Sequence, residues 1–172
     1  TFSIIIVSLN KKKKFIKTFS SIRKQNFKSK EIIVVDGGSN DGTEHFINKN
    51  KKKINKLIRE QDRGIYDAMN KGIRSASGKY IIFLNSGDIF FKKNTLSILS
   101  KHIEDSSDIV YGNTVVNNNI KYLEIAADPS RHNFKIPFCH QSSLVKTSMH
   151  KKNLFSSKYK IASDFDLICK LR

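Results

Sequence analysis

Two short apolar runs in this chain each lead into an aspartate, and they constrain its class of fold. Ile32, Ile33, Val34 and Val35 run into Asp36, while residues 80–84 (YIIFL) pass through Asn85, Ser86 and Gly87 into Asp88. Continuous apolar runs of this length, bounded by Gly, Ser and Asp, belong to strands buried on both faces. Such strands lie in sheets covered by helices on both sides. These sheets bind ligands at the edge where the strands leave the core. Two carboxylates at that edge suggest one site for a nucleotide and a cation.

The remaining pattern extends this reading. Residues 2–9 predict a first buried strand, and residues 11–25 a helix with Phe15, Phe19 and Ile22 on one stripe. Residues 31–36 form the second strand. A Gly-rich turn follows, with Asp41 and Glu44 spaced as a capping box for a helix from Thr43. A short strand at 56–59 precedes a helix marked by Ile65, Met69 and Ile73, in which Ala68, Gly72 and Ala76 permit close packing. Residues 79–84 are the fourth strand, and Leu96, Leu99 and Ile103 mark another helix. Strand–helix alternation over roughly the first 100 residues argues for a parallel sheet. Beyond it, strands are expected at 108–111, 114–116, 120–125 and 142–145. Residues 131–140 read as irregular, and a terminal helix starts at Asp164. One mixed α/β domain over 1–172 is expected, alternating in 1–100 and mixed in 101–172. The start at Thr1 and the stop at Arg172 inside a helix suggest part of a longer protein.

Charge narrows the partners. The 32 Lys+Arg against 15 Asp+Glu leave +17, which favours nucleic acid, acidic lipid or phosphorylated substrates. The lysines are scattered over every segment, so biased composition explains any single cluster about as well. No aromatic-basic stretch, zinc-finger spacing or concentrated basic helix supports a nucleic-acid module. Cys139 and Cys169 lack CxxC spacing, which points to a reduced, cytoplasmic setting. No apolar run approaches the ~20 residues that span a bilayer, and residues 2–9 lack the basic start of a signal peptide.

Several residues could carry chemistry, each with a plainer alternative. Asp36 suits an acceptor for a base or ribose, or simply a turn before Gly37 and Gly38. Asp88 suits a hard divalent cation touching a diphosphate, with Asn85 and Ser86 beside it, or a loop cap. Asp67, Asn70 and Lys71 stand at i, i+3 and i+4 of a helix and so face one way, as a site or as a solvated face. Asp164 and Asp166 open the last helix, where acids commonly cap. His140 and Gln141 form a polar pair entering a strand. No GxGxxG or Walker A sequence is present.

Taken together, IIVVDGGSNDGT (32–43), RGIYDAMNKG (63–72), GKYIIFLNSGD (78–88), His140-Gln141 and IASDFDL (161–167) resemble the family 2 glycosyltransferases of GT-A fold. The nearest likeness is to bacterial enzymes that build surface polysaccharides. The resemblance implies an inverting enzyme that moves a sugar from a nucleotide-sugar, with UDP expected, to a glycan or lipid-linked acceptor. By the family pattern Asp36 hydrogen-bonds the base, and Ser8, Asn10 and Gly38 line the same pocket. Asp67, Asn70 and Lys71 lie near the nucleotide and donor sugar, with Lys71 or Arg63 assisting the diphosphate. Asn85, Ser86 and Asp88 stand at the family's DxD motif, Asp88 being the ligand of Mn²⁺ or Mg²⁺. Asp164 matches the catalytic base. Two positions depart from the pattern: Ser163 replaces the glutamate before the base, and Asn85 replaces the first DxD acid. The implied location is cytoplasmic, with a peripheral hold on the inner, anionic face of the membrane.

Overall fold

The computed structural model describes residues 1–117, 122–125, 139–159 and 161–170. Its centre is a six-stranded sheet ordered β3-β2-β1-β4-β8-β5. The strands are β1 (Phe2–Ser8), β2 (Lys30–Asp36), β3 (Lys56–Arg59), β4 (Tyr80–Phe83), β5 (Ile109–Tyr111) and β8 (Ser143–Lys146). β6 (Thr114–Asn117) and β7 (Tyr122–Ile125) pair separately as an antiparallel ribbon. β1 pairs in parallel with β2 and β4, and β2 in parallel with β3. β8 runs antiparallel between β4 and β5. The mostly parallel α/β sheet expected from the alternation is therefore present, with its mixed part in the second half of the chain.

Among the described residues six α-helices accompany the sheet: α1 (Lys12–Arg23), α2 (Thr43–Lys49), α3 (Ile65–Ser75), α4 (Thr95–Lys101), α5 (Thr147–Lys152) and α6 (Ser163–Lys170). Every residue of β1 is buried, and its side chains alternate between two cores as the strand's period of two requires. Ile4 and Ile6 join Phe15, Phe19, Ile22, Ile47 and Leu96 on the face of α1, α2 and α4. Ile5 and Val7 join Met69, Ile73, Phe155 and Leu167 on the face of α3 and α6. Gly72 is required on that second face, because a Cβ there would stand 2.6 Å from Ile5 Cγ2.

Some local expectations change. The capping box does not form: Gly42 is the N-cap of α2, and Glu44 turns to Arg59. Asp41 instead accepts bonds from Thr43 N and Lys12 N. Ile65, expected on the buried stripe of α3, is 46% exposed, while Ala68 and Asn70 are buried in its place. Residues 118–119, expected with Asn117 as the turn between the two strands, residues 120–121 of the expected 120–125 strand, and 131–138 of the irregular 131–140 stretch lie outside the described residues. Helix α5 carries no apolar stripe long enough to announce it.

A buried carboxylate latches the amino end of the sheet. Glu31 of β2 accepts bonds from Ser3 Oγ of β1, from Ser77 N and Oγ, and from Gly78 N at 2.9 Å. Lys56 Nζ adds an ion pair at 3.4 Å. Burial alone would raise the pKa of this carboxyl, but the bonds from Ser3, Ser77 and Gly78 together hold it down at about 2. A depressed native pKa contributes stability in full above the unfolded value of about 4.3, and loses it as pH falls toward the native one. Glu31→Gln should therefore lose about 2–3 kcal/mol in urea unfolding at neutral pH. The gap to the parent should close as the pH is lowered from about 4.5 toward 2. A gap that stays constant over that window would remove the carboxylate from the latch.

Candidate functional site

The strand order places the site. The chain moves outward from β1 to β2 and β3, then returns to the other side of β1 as β4. That reversal opens a crevice at the carboxyl ends of β1 and β4, the topological switch point where open α/β sheets take ligands. The parallel register brings Ser8 opposite Asp36, and Asp36 opposite Arg59, so three strand ends form one row. Ser86 N, beyond β4, donates to Val7 O at 3.2 Å and brings the Asn85–Asp88 turn to the same edge.

At the β1–β2 side the polar groups are already interlocked. Asp36 has no exposed surface. Its carboxylate accepts from Ser39 Oγ, from Ser39 N at 3.3 Å and from Arg59 Nε at 3.3 Å. Arg59 also binds both carboxylate oxygens of Glu44. Asn10, in a left-handed conformation at φ 50°, gives its N–H to Ser39 Oγ and takes the Asn40 N–H at its side-chain oxygen. Gly38 is exposed with φ 91°, and open space surrounds the position a Cβ would take. Ser8 Oγ is buried there without a partner. Asp36 thus stands where expected, but Ser39 and Arg59 cover it.

Next to this row stands the start of α3. Lys71 Nζ pairs with Asp62 at 2.8 Å, Glu60 at 3.1 Å and Asp67 at 3.3 Å, and donates to Gln61 O. The Asp62 carboxylate, with Glu60 and Asp67 adding to it, holds the lysine pKa well above its usual range. Three carboxylates over-neutralise one ammonium, so Lys71 fastens the 60–62 loop. The lysine expected to assist a diphosphate is thus ion-paired to this loop. That loop presses on the β2 exit: a Cβ on Gly37 would meet Asp62 Oδ2 at 2.6 Å. Arg63 extends an exposed side chain, and its N–H caps Asp67. Asn70 leaves the polar face altogether. Its amide bonds both N and O of Phe155 at 2.9 Å, tying α3 to the chain before α6.

The Asn85–Asp88 turn rests on α1. Thr18 Oγ1 accepts from Gly87 N at 2.9 Å and donates to Asn85 O at 3.3 Å. Asp88 folds back to accept from Asn85 N at 3.1 Å. Burial raises its carboxyl pKa above the ordinary value, with Lys14 partly opposing. Asn85 Oδ1 is buried without a partner. An orphaned oxygen in the same turn as a half-buried carboxylate fits a hard cation that draws its remaining ligands from phosphate and water. Among the described residues no group of three or more His, Cys, Asp or Glu gathers for a metal.

The third acid reaches the site through Tyr66. Tyr66 Oη accepts from Ser163 N at 3.2 Å and donates to Asp164 Oδ1 at 3.4 Å. Ala162 precedes them in a left-handed conformation at φ 67°. Ser163, expected in place of a glutamate, is fully buried and donates to Ser156 O. His140 packs under this corner against Phe83 and Phe155, with ring centroids at 5.2 and 5.4 Å. Burial lowers its pKa to about 4, against an opposing pull from Asp164, and keeps the ring neutral. Gln141 accepts the Cys139 thiol proton at 2.8 Å.

Ser39, Arg59, Asp62, Thr18 and Tyr66 were not singled out from the sequence. Arg59 was within reach, since it closes a strand whose predicted end aligns with Asp36. The others depend on contacts between distant segments.

Residues 3–159 match the family described as glycosyl transferase family 2. A PGL/p-HBAD biosynthesis glycosyltransferase of Mycobacterium bovis (strain BCG / Pasteur 1173P2) is 30% identical over 171 residues, 96% of this chain and 67% of that one. Escherichia coli UDP-Glc:alpha-D-GlcNAc-diphosphoundecaprenol beta-1,3-glucosyltransferase WfgD is 31% identical over 119 residues, 68% of this chain and 47% of that one. Among solved structures, S. aureus TarS 1–349 in complex with UDP superposes with a TM-score of 0.79 at 23% identity, covering 99% of this chain and 54% of that one. Mannosyltransferase PcManGT from Pyrobaculum calidifontis, in complex with GDP-Man and Mn2+, gives 0.76 at 17% identity, covering 99% and 51%. This chain spans about half the length of those two solved chains. With its sequence matched over nearly its whole length and its sheet superposed, the chain belongs to the family 2 glycosyltransferases and has the GT-A fold.

Proposed function

We propose that this chain binds a nucleotide-sugar, with UDP as the expected nucleotide, and transfers its sugar with inversion to a hydroxyl of a glycan or lipid-linked acceptor. The observation that carries this reading is the convergence of strand ends. Ser8, Asp36 and the Asn85–Asp88 turn share one sheet edge at the switch point. UDP in the TarS complex and the UDP-Glc and diphosphoundecaprenol in the name of the WfgD relative supply the donor and acceptor classes.

The base occupies the Gly38 side in this reading. Asp36 reads it once Ser39 or Arg59 yields an oxygen, so recognition includes opening a preformed clamp. Asp88 and Asn85 would hold Mn²⁺ or Mg²⁺, which supplies neutralisation of the charge gathering on the diphosphate. Asp164 accepts the proton of the attacking hydroxyl, a role for which its bond to Tyr66 orients it. A single base opposite the leaving group gives one displacement and inversion, as in inverting glycosidases. His140 is buried and serves as packing beneath the acid.

Two measurements test this. Asp164→Asn should lower sugar transfer by about 10²–10⁴-fold while the thermal shift given by UDP stays that of the parent. Full turnover by that variant would end the assignment of the base. In a panel of nucleotide-sugars, Mn²⁺ should enlarge the shift in melting temperature for the parent and leave Asp88→Asn unchanged. An equal enlargement in both would place the metal elsewhere.

A further inference from the structure

Beside the Asn85–Asp88 turn lies a surface that the transfer reaction does not use. Residues 87–93 run along α1 as a strap. Gly87 bonds Thr18, Phe90 N bonds Ser21 Oγ, and Gln25 Nε2 bonds Lys92 O. Phe90 is buried, while its neighbours on either side point outward: Ile89 is 59% exposed and Phe91 69% exposed. Two large apolar side chains held to solvent side by side on a fixed strap would gain from a partner that takes them out of water.

The charge around them identifies that partner. Lys14 and Lys17 are exposed on α1 and Lys24 at its C-cap, at i, i+3 and i+10, along one side of the helix that carries the strap. Lys92 and Lys93 are exposed on the strap itself, and Lys92 Nζ stands 6.0 Å from the centre of the Phe91 ring. No acid occurs among residues 1–30, and Asp88 alone among residues 85–101. Apolar side chains ringed by lysines match a bilayer interface, whose anionic headgroups attract the cations while the acyl boundary accepts the rings.

We infer that the α1 stripe and the 87–93 strap form a docking face for an anionic lipid surface. The inference rests on this patch and not on the identity of the donor. It adds to the proposed function that the Asp88 turn opens next to the bilayer, where a lipid-linked acceptor would be held. Such binding is reversible and peripheral, since two apolar side chains give far less insertion than a membrane-spanning helix.

The test is co-sedimentation of the chain with phosphatidylcholine vesicles, with and without phosphatidylglycerol, at low and physiological salt. Binding should require phosphatidylglycerol and weaken with salt. The triple variant K17Q/K24Q/K92Q should lower the partition coefficient about a hundredfold, at roughly fivefold per charge. Ile89→Ser with Phe91→Ser should also weaken binding, by an amount that persists at physiological salt. The control is K151Q/K152Q/K158Q, which removes the same charge from α5 and the turn after it, packed on the other face of the sheet through Met149 and Phe155. It should bind nearly as the parent does. Equal losses for the two lysine triples would reduce the effect to net charge and overturn the docking face. So would absence of binding to anionic vesicles, or indifference to the Ile89/Phe91 change. A UDP thermal shift on the same samples separates the outcomes. A chain that responds to UDP yet ignores vesicles loses the docking face and keeps the proposed function.

Discussion

The parallel pairing of β1 with β2 on one side and β4 on the other governs the rest of the molecule. β1 is buried along its whole length, and its two neighbours run in the same direction, so their carboxyl ends finish at one edge. Nothing else would bring residue 8, residue 36 and the turn at 85–88 together across such distances in sequence. The alternation of Ile4 and Ile6 against Ile5 and Val7 divides the core between two helical layers. That division holds the edge open between them. The site is therefore a by-product of sheet direction, populated by the few polar residues that follow each apolar run.

Much of this was legible in the residues. The apolar runs gave the strands because both faces of these strands are buried, and a double-faced strand leaves no polar alternation to misread. The glycines at 37, 38, 42 and 87 bounded the turns. The antiparallel β8 was visible as a strand, but its insertion between β4 and β5 follows from pairing that local pattern does not encode. At the site, strand-end residues were readable and clamps were not. Asp36 was identified while Arg59 and Ser39, which cover it, were not. Asn70 and Lys71 were read as one face of a helix by spacing alone. Neighbouring elements then claimed each for a different task, Asn70 for Phe155 and Lys71 for the 60–62 loop. Glu44 had the spacing of a cap, but a bidentate guanidinium outweighs a capping bond to a backbone N–H.

The acids of the site also differ in how they are held. Asp36 is enclosed and paired, Asp88 is half-buried with a raised carboxyl pKa, and Asp164 leans on a tyrosine at the start of a helix. The three acids thus stand in three different environments. The buried histidines beneath the third acid, His140 and His150, are driven neutral by desolvation and add bulk without adding charge.

Thr18 sits in the middle of α1 and bonds both sides of the turn that carries Asp88. The same helix bears the lysine stripe on its outer surface. Mechanically, the outer skin of the protein and the floor of the Asn85–Asp88 turn are coupled through the Thr18 hydroxyl. Whatever α1 leans on outside, the geometry around Asp88 inherits.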